Sequence, residues 1–175
     1  MPPLQKLITL DQRLSTRLAI PRQARLLRLL ALVAAHTGDS PLWLIGAAAA
    51  IAWGDVTWQV LGWRVLAGTL AAGAATTILK WLFRRQRPAG EGWGFYSHFD
   101  RHAFPSGHAG RSACMAVLLA PLLPLPWSYL LLPAWAVTVG LARVALQVHF
   151  VSDIIGGWVV GLLVGLAIGG ILSPG

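Results

Sequence analysis

Charge is what this chain has least of. Of its 175 residues, 14 are Lys or Arg and only 6 are Asp or Glu, so 11% are charged against 56% hydrophobic. A water-soluble domain carries about 25% charged residues; too few are present here to coat a water-facing surface. Cysteine is nearly absent as well. Cys114 stands alone, which excludes a disulfide framework and leaves no sign of redox compartment. The carboxylates are scattered, with no cluster suited to holding magnesium. The first twenty residues lack a continuous apolar run, mixing Lys6, Asp11, Arg13 and Arg17 with leucines, so they do not read as a secretory signal. There is no low-complexity tail or linker, and the length fits one domain over residues 1–175.

What is present is hydrocarbon. Apolar stretches over 41–53, 65–79, 113–139 and 154–172 and a mean hydropathy of +0.64 indicate an integral membrane protein. The net charge of +8 raises nucleic acid as a partner. Its placement argues against that, because the basic residues gather at Lys6 to Arg28 and Lys80 to Arg111, beside apolar spans. Such residues report membrane orientation and headgroup contact. The expected partner is therefore the bilayer, not nucleic acid. Nothing in the residues bears on oligomeric state.

Taken in order, residues 3–19 place leucines at roughly helical spacing among charges, as in an amphipathic helix lying in the headgroup layer. Pro21 ends it, and 22–36 form a second short basic helix. Thr37-Gly38-Asp39-Ser40-Pro41 is a turn that caps the next helix. Spans are expected over 41–54, 57–86, about 106–121, 127–144 and 152–172. The fold class is thus all-α: a membrane helix bundle of about five spans over 41–172, preceded by interfacial helices within 1–38. Gly157, Gly161, Gly165 and Gly169 recur every four residues, a stripe for close helix packing.

Three polar clusters interrupt this hydrocarbon. In the first, Lys80, Arg84 and Arg87 stand at i, i+4 and i+7 before Pro88, which puts three mutually repelling cations on one helix face. An anion among them, or a snorkelling basic helix end, would account for that. The second is Pro105-Ser106-Gly107-His108. Ser106 is a good helix N-cap, Gly107 permits close backbone approach, and the helix N-terminus favours a phosphate; an ordinary capped helix reads the same way. The third is Arg143 with His149 and Asp153. The last two are four apart, so on a helix a carboxylate can back an imidazole; a buried structural pair is the plainer account. An even number of crossings separates the clusters, so all three reach one membrane face.

Together, Lys80 with six residues before Arg87-Pro88, then Pro105-Ser106-Gly107-His108, then Arg143, His149 and Asp153, resemble the tripartite signature of the type 2 phosphatidic acid phosphatase superfamily over about residues 57–170. One departure is Ala142, where the family commonly has serine. The resemblance implies a metal- and cofactor-independent membrane phosphatase acting on a lipid phosphate or diphosphate, such as phosphatidic acid, phosphatidylglycerol phosphate or a polyprenyl phosphate. It makes His149 the nucleophile that forms a phosphohistidine, Asp153 its orienting carboxylate and His108 the proton donor to the leaving oxygen. Lys80, Arg87, Arg143, Ser106 and Gly107 would hold the phosphoryl oxygens. Arg84, His98, Arg101 and His102 are expected around the substrate headgroup. A lipid phosphotransferase would use the same residues. A vanadate-dependent peroxidase of the same superfamily is disfavoured by the apolar spans, and a membrane transporter would instead use the charges as an ion path. The basic N-terminus puts the site on the cytoplasmic face if 22–36 lies in the interface, and on the outer face if that segment crosses.

Overall fold

The computed structural model describes residues 3–88 and 100–172. Within them are seven helices: α1 (Pro3–Arg17), α2 (Arg25–His36), α3 (Ser40–Trp53), α4 (Val56–Phe83), α5 (Gly107–Leu119), α6 (Ser128–Ala145) and α7 (Val151–Ile171). The all-α membrane bundle expected from the sequence is what forms. Helices α4, α6 and α7 are each long and apolar enough to cross a membrane, and α2 with α3, bent by 47°, gives up to a fourth crossing. Of the about five spans expected, α3 with 14 residues and α5 with 13 are too short to cross by themselves. Large apolar side chains on their outer faces, such as Trp53, Leu82 and Leu163, stand exposed. A soluble fold would bury many of these; here hydrocarbon takes that part.

The helix at the centre is α5, only 13 residues long and buried along most of its length between α4, α6 and α7. Its closest neighbour is α7, and the glycine stripe is the reason. A Cβ at Gly157 would fall 2.5 Å from the Ser106 carbonyl oxygen, and one at Gly161 would collide with the carbonyl of Gly110. Only glycine permits this backbone approach. The same approach lets the Ser106 N–H donate to the Asp153 carbonyl at 2.9 Å, so the starts of α5 and α7 sit side by side.

At the opposite end Arg64, buried in α4, donates to the Leu172 carbonyl at 2.8 Å, a cation placed on the C-terminal end of α7. The amphipathic α1 turns its leucines outward, with Leu7, Leu10 and Leu14 exposed. Its polar side faces the protein. Buried Ser15 accepts from the Val151 N–H at 3.0 Å, Asp11 accepts from the Ser152 N–H at 3.0 Å, and Gln147 donates to the Ser15 carbonyl at 2.8 Å. The helix therefore clasps the α6–α7 turn with its hydrophilic face and offers hydrocarbon outward.

Candidate active site

Four helix ends meet at this place. The first is the end of α4. The helix stops at Phe83 because Arg84 takes a left-handed conformation (φ 47°), and Pro88 disfavours helix in the residue before it. This corrects the expectation that Lys80, Arg84 and Arg87 share a helix face. Arg84 is exposed and donates to the carbonyl of Trp81 at 3.0 Å. The chain then turns Arg85 and Arg87 inward instead.

Lys80 and Arg87 converge on one carboxylate. Lys80 Nζ lies 2.5 and 2.6 Å from the two oxygens of Asp100, and Arg87 Nη2 lies 2.8 Å from Oδ2. Arg87 also donates to the Asp100 carbonyl at 3.1 Å and to the Val148 carbonyl at 3.1 Å. Burial pushes the Asp100 carboxyl pKa up, but Lys80 and Arg87 beside it outweigh that and hold it below the usual range. Like cations in a low-dielectric site need such an anion between them.

On the other side of Arg87 lies His149, whose Nε2 is 3.4 Å from Arg87 Nη1. The histidine is buried, with 1% exposure. Burial, then the charges of Arg87, Arg143, Lys80 and His108, keeps its pKa well below the usual histidine range, so the ring is neutral at pH 7. Four of the sequence-predicted groups are therefore near enough to act on a fifth. The expected hydrogen bond from His149 to Asp153 is not made: Nδ1 and Asp153 Oδ2 are 3.5 Å apart, beyond hydrogen-bonding distance for this buried nitrogen. Asp153 is occupied elsewhere. Its Oδ2 accepts from the Phe150 N–H at 2.8 Å, capping α7, and its Oδ1 accepts from Arg85 at 2.8 Å.

Arg85 was not among the residues singled out from the sequence. It spans Asp153 and Asp11, the latter at 2.7 Å, donates to Ser152 Oγ at 2.5 Å and lies 4.3 Å from the Phe150 ring centre. Asp11 is raised by burial and lowered more by its bonds with Ser152 and Arg85. This network ties α1 and the end of α4 to the turn bearing His149.

Ser106, fully buried, caps α5, with Oγ accepting from the Ala109 N–H at 3.4 Å. At Gly107 a Cβ would meet only Thr76 Oγ1, at 3.6 Å, so packing alone does not demand glycine there. At the next residue of α5, His108 Nε2 lies 2.6 Å from Asp39 Oδ1. Both line a cavity of about 580 Å³ together with Lys80, Asp100, Gly107 and Arg111. Arg101 and His102 line it too, and His102 stands edge-on to Trp81 at 6.0 Å. His98 lies outside the described residues. Asp39, Asp100 and Arg111, like Asp11, lie outside the three sequence motifs, and Arg85 is an unassigned position within the first; the turn composition around Asp39 is the one available signal.

A family model for the PAP2 superfamily matches residues 61–172. The chain belongs to the PAP2 superfamily. It is 34% identical over 110 residues to the decaprenylphosphoryl-5-phosphoribose phosphatase of Mycolicibacterium smegmatis, covering 58% of this chain and 52% of that protein. It is 40% identical over 75 residues to phosphatidylglycerophosphatase B of Bacillus subtilis, covering 38% of this chain and 37% of that protein. The matches thus span about half the length of these relatives or less. Among solved structures, a transmembrane PAP2 type phosphatidylglycerolphosphate phosphatase from Bacillus subtilis superposes with a TM-score of 0.77 at 29% identity, covering 95% of this chain and 86% of that one. LpxE of Aquifex aeolicus shares the fold, with a TM-score of 0.70 at 21% identity over 91% of this chain and 94% of its own.

Proposed function

We propose that this PAP2 protein releases phosphate from a membrane lipid phosphate or diphosphate through a phosphohistidine on His149. One observation carries the reading: Lys80 and Arg87 close on a single anionic group, and the second of them also touches Nε2 of a neutral, buried imidazole. Asp100 marks the anion seat. A phosphate monoester, with more charge and more acceptor oxygens than a carboxylate, takes that seat between the same cations.

His149 Nε2 then forms a bond to phosphorus as the bond to the lipid oxygen breaks. The electron pair of that bond leaves with the lipid oxygen, which takes a proton from His108. Lys80, Arg87 and Arg143, with Ser106 and the Gly107 amide at the α5 N-terminus, hold the equatorial oxygens. Preorganised charge of this kind is the main lever in phosphoryl transfer. In the second step water attacks phosphorus, His108 takes its proton, and the P–N bond to His149 breaks. Asp153 acts on the new imidazolium by charge and holds the start of α7 through the Phe150 N–H. Phosphatidic acid, phosphatidylglycerol phosphate and polyprenyl phosphates or diphosphates all present the needed headgroup. Arg101 and His102 on the cavity wall are the described groups placed to meet it.

The test is a panel of these lipids, labelled in the terminal phosphate, presented to the purified protein in detergent. Label is expected in orthophosphate and, after an acid-free quench, on the protein. Label passing to a second lipid would make the protein a phosphotransferase, and no phosphoprotein with any substrate would end the histidine mechanism.

The site opens on the cytoplasmic face. Support comes from α2, whose two flanks both meet the site end of the bundle: the Ile20 N–H donates to the Ala145 carbonyl at 3.0 Å, and Asp39 reaches His108. The helix itself packs on Ala142, Leu146 and Val148. The basic residues from Lys6 to Arg28 therefore gather at that end, whereas the turns at 54–55 and 120–127 carry no Lys or Arg. Labelling of single cysteines placed at Gln86 and Leu123 in a Cys114→Ala background decides this in intact cells, with Leu123→Cys expected to be the accessible one.

A further inference from the structure

The turn between α2 and α3 is anchored more heavily than a connector needs. Trp43 Nε1 donates to the Thr37 carbonyl at 2.8 Å, Trp135 Nε1 donates to Thr37 Oγ1 at 2.8 Å, and Arg111 Nε donates to the Gly38 carbonyl at 2.9 Å. A Cβ on Gly38 would fall 2.9 Å from Val139, so the turn is seated directly on α6. What these anchors deliver is one side chain. Asp39 Oδ1 lies 2.6 Å from His108 Nε2, and Oδ2 lies 2.7 Å from His36 Nδ1. Two half-buried indoles and a buried guanidinium thus fix the backbone, and a second imidazole holds the far oxygen of the carboxylate.

We infer that Asp39 is a positioning residue for the general acid, holding the proton of His108 on Nε2 so that Nδ1 is the nitrogen that gives and takes the catalytic proton. This rests on the proposed role of His108. The chemistry follows from imidazole having two nitrogens. A carboxylate accepting the Nε2–H selects that tautomer of the neutral ring and favours the doubly protonated form before transfer. In the first step Nδ1–H passes its proton to the departing lipid oxygen, and the ring is left neutral with its remaining proton still on Nε2. In the second, Nδ1 accepts a proton from the attacking water, and the ring returns to its starting state. An amide in place of the carboxylate keeps the shape but can turn its NH2 toward Nε2, which moves the proton to the wrong nitrogen.

General acid help matters in proportion to how poor the leaving group is. An alkoxide needs a proton, and a phosphate leaving group hardly does. The discriminating experiment therefore measures kcat/KM for phosphatidic acid and for diacylglycerol diphosphate in the same mixed micelles, with wild type, Asp39→Asn and His108→Asn. Both substrates have the same hydrocarbon, and the ratio of the two rates within one preparation is independent of how much protein is folded. Asp39→Asn is expected to lower kcat/KM for the monophosphate roughly 10- to 100-fold, a share of the ~10²–10⁴ attributed to a general acid, and for the diphosphate by less than about 3-fold. His108→Asn should show the same skew, larger. If Asp39→Asn lowers both substrates alike, or neither, Asp39 is a structural anion only and the inference is overturned. If His108→Asn itself shows no skew, the acid assignment beneath it fails instead.

Discussion

The site sets His149 and His108 each beside a carboxylate and treats them in opposite ways. His149 is sealed in the protein, and its nearest carboxylate, Asp153, is 3.5 Å away and committed to Arg85 and to the cap of α7. His108 borders the cavity, and Asp39 touches it at 2.6 Å. The difference matches two jobs. A nucleophile needs a neutral nitrogen with a free electron pair, which burial among cations enforces. An acid gains from an adjacent negative charge, which favours the protonated ring against burial and those same cations. Environment, not residue type, divides the labour.

The sharpest way to break that contrast is to remove the nucleophile. His149→Ala is expected to abolish turnover, on the order of 10⁴-fold or more by analogy with other covalent nucleophiles, with no trapped phosphoprotein. Arg87→Ala comes next, since it deprives both the anion seat and His149 of their shared neighbour; a fall of about 10²–10³-fold in kcat/KM is expected, measured by phosphate release. Arg85→Ala tests whether Asp153 serves through its anchor. With the carboxylate released from Arg85 and α1 loosened, kcat should drop by about 10-fold while binding of orthophosphate, followed as product inhibition, stays near wild type.

Acidification sharpens the contrast from another side. The folded-state pKa of His149 lies below its value in the unfolded chain, near 6.5 for a free histidine. The unfolded state then binds the extra proton, so the stability contributed by neutral His149 is complete above about pH 6.5 and is lost as pH falls below it. Thermal unfolding in detergent should show this decline, and the acid limb of kcat/KM should not begin at pH 6.5 on account of this residue. The smallest effect belongs to Ser15→Ala, which removes the acceptor for the Val151 N–H; about 1 kcal/mol of stability is expected to go, with activity changed little.

Much of this was readable along the chain, for a physical reason. Lys80 and Arg87-Pro88, Pro105 through His108, and Arg143, His149 and Asp153 each lie within a few turns of one another, so spacing groups them without fixing their contacts. The apolar stretches likewise named the helices, because a span needs only length and hydrocarbon. Arg84 shows where that reasoning ends. Periodicity continued the helix through it, but the left-handed turn at that residue sent it outward and Arg85 inward. Asp11, Asp39 and Asp100 could not be assigned by spacing, since their partners lie far off in sequence: Ser152 for the first, His108 for the second and Lys80 for the third.

The amino-acid order by itself settled that this is an all-α membrane protein carrying cations and two histidines at one end of its helices, since hydropathy and local spacing are properties of the chain. Which carboxylate serves which base was decided only by docking: the glycine face of α7 drew α5 against it, α1 folded its polar side inward, and the α2–α3 turn came to rest on α6. Charges find partners by distance in space, and those distances exist only once the helices have packed.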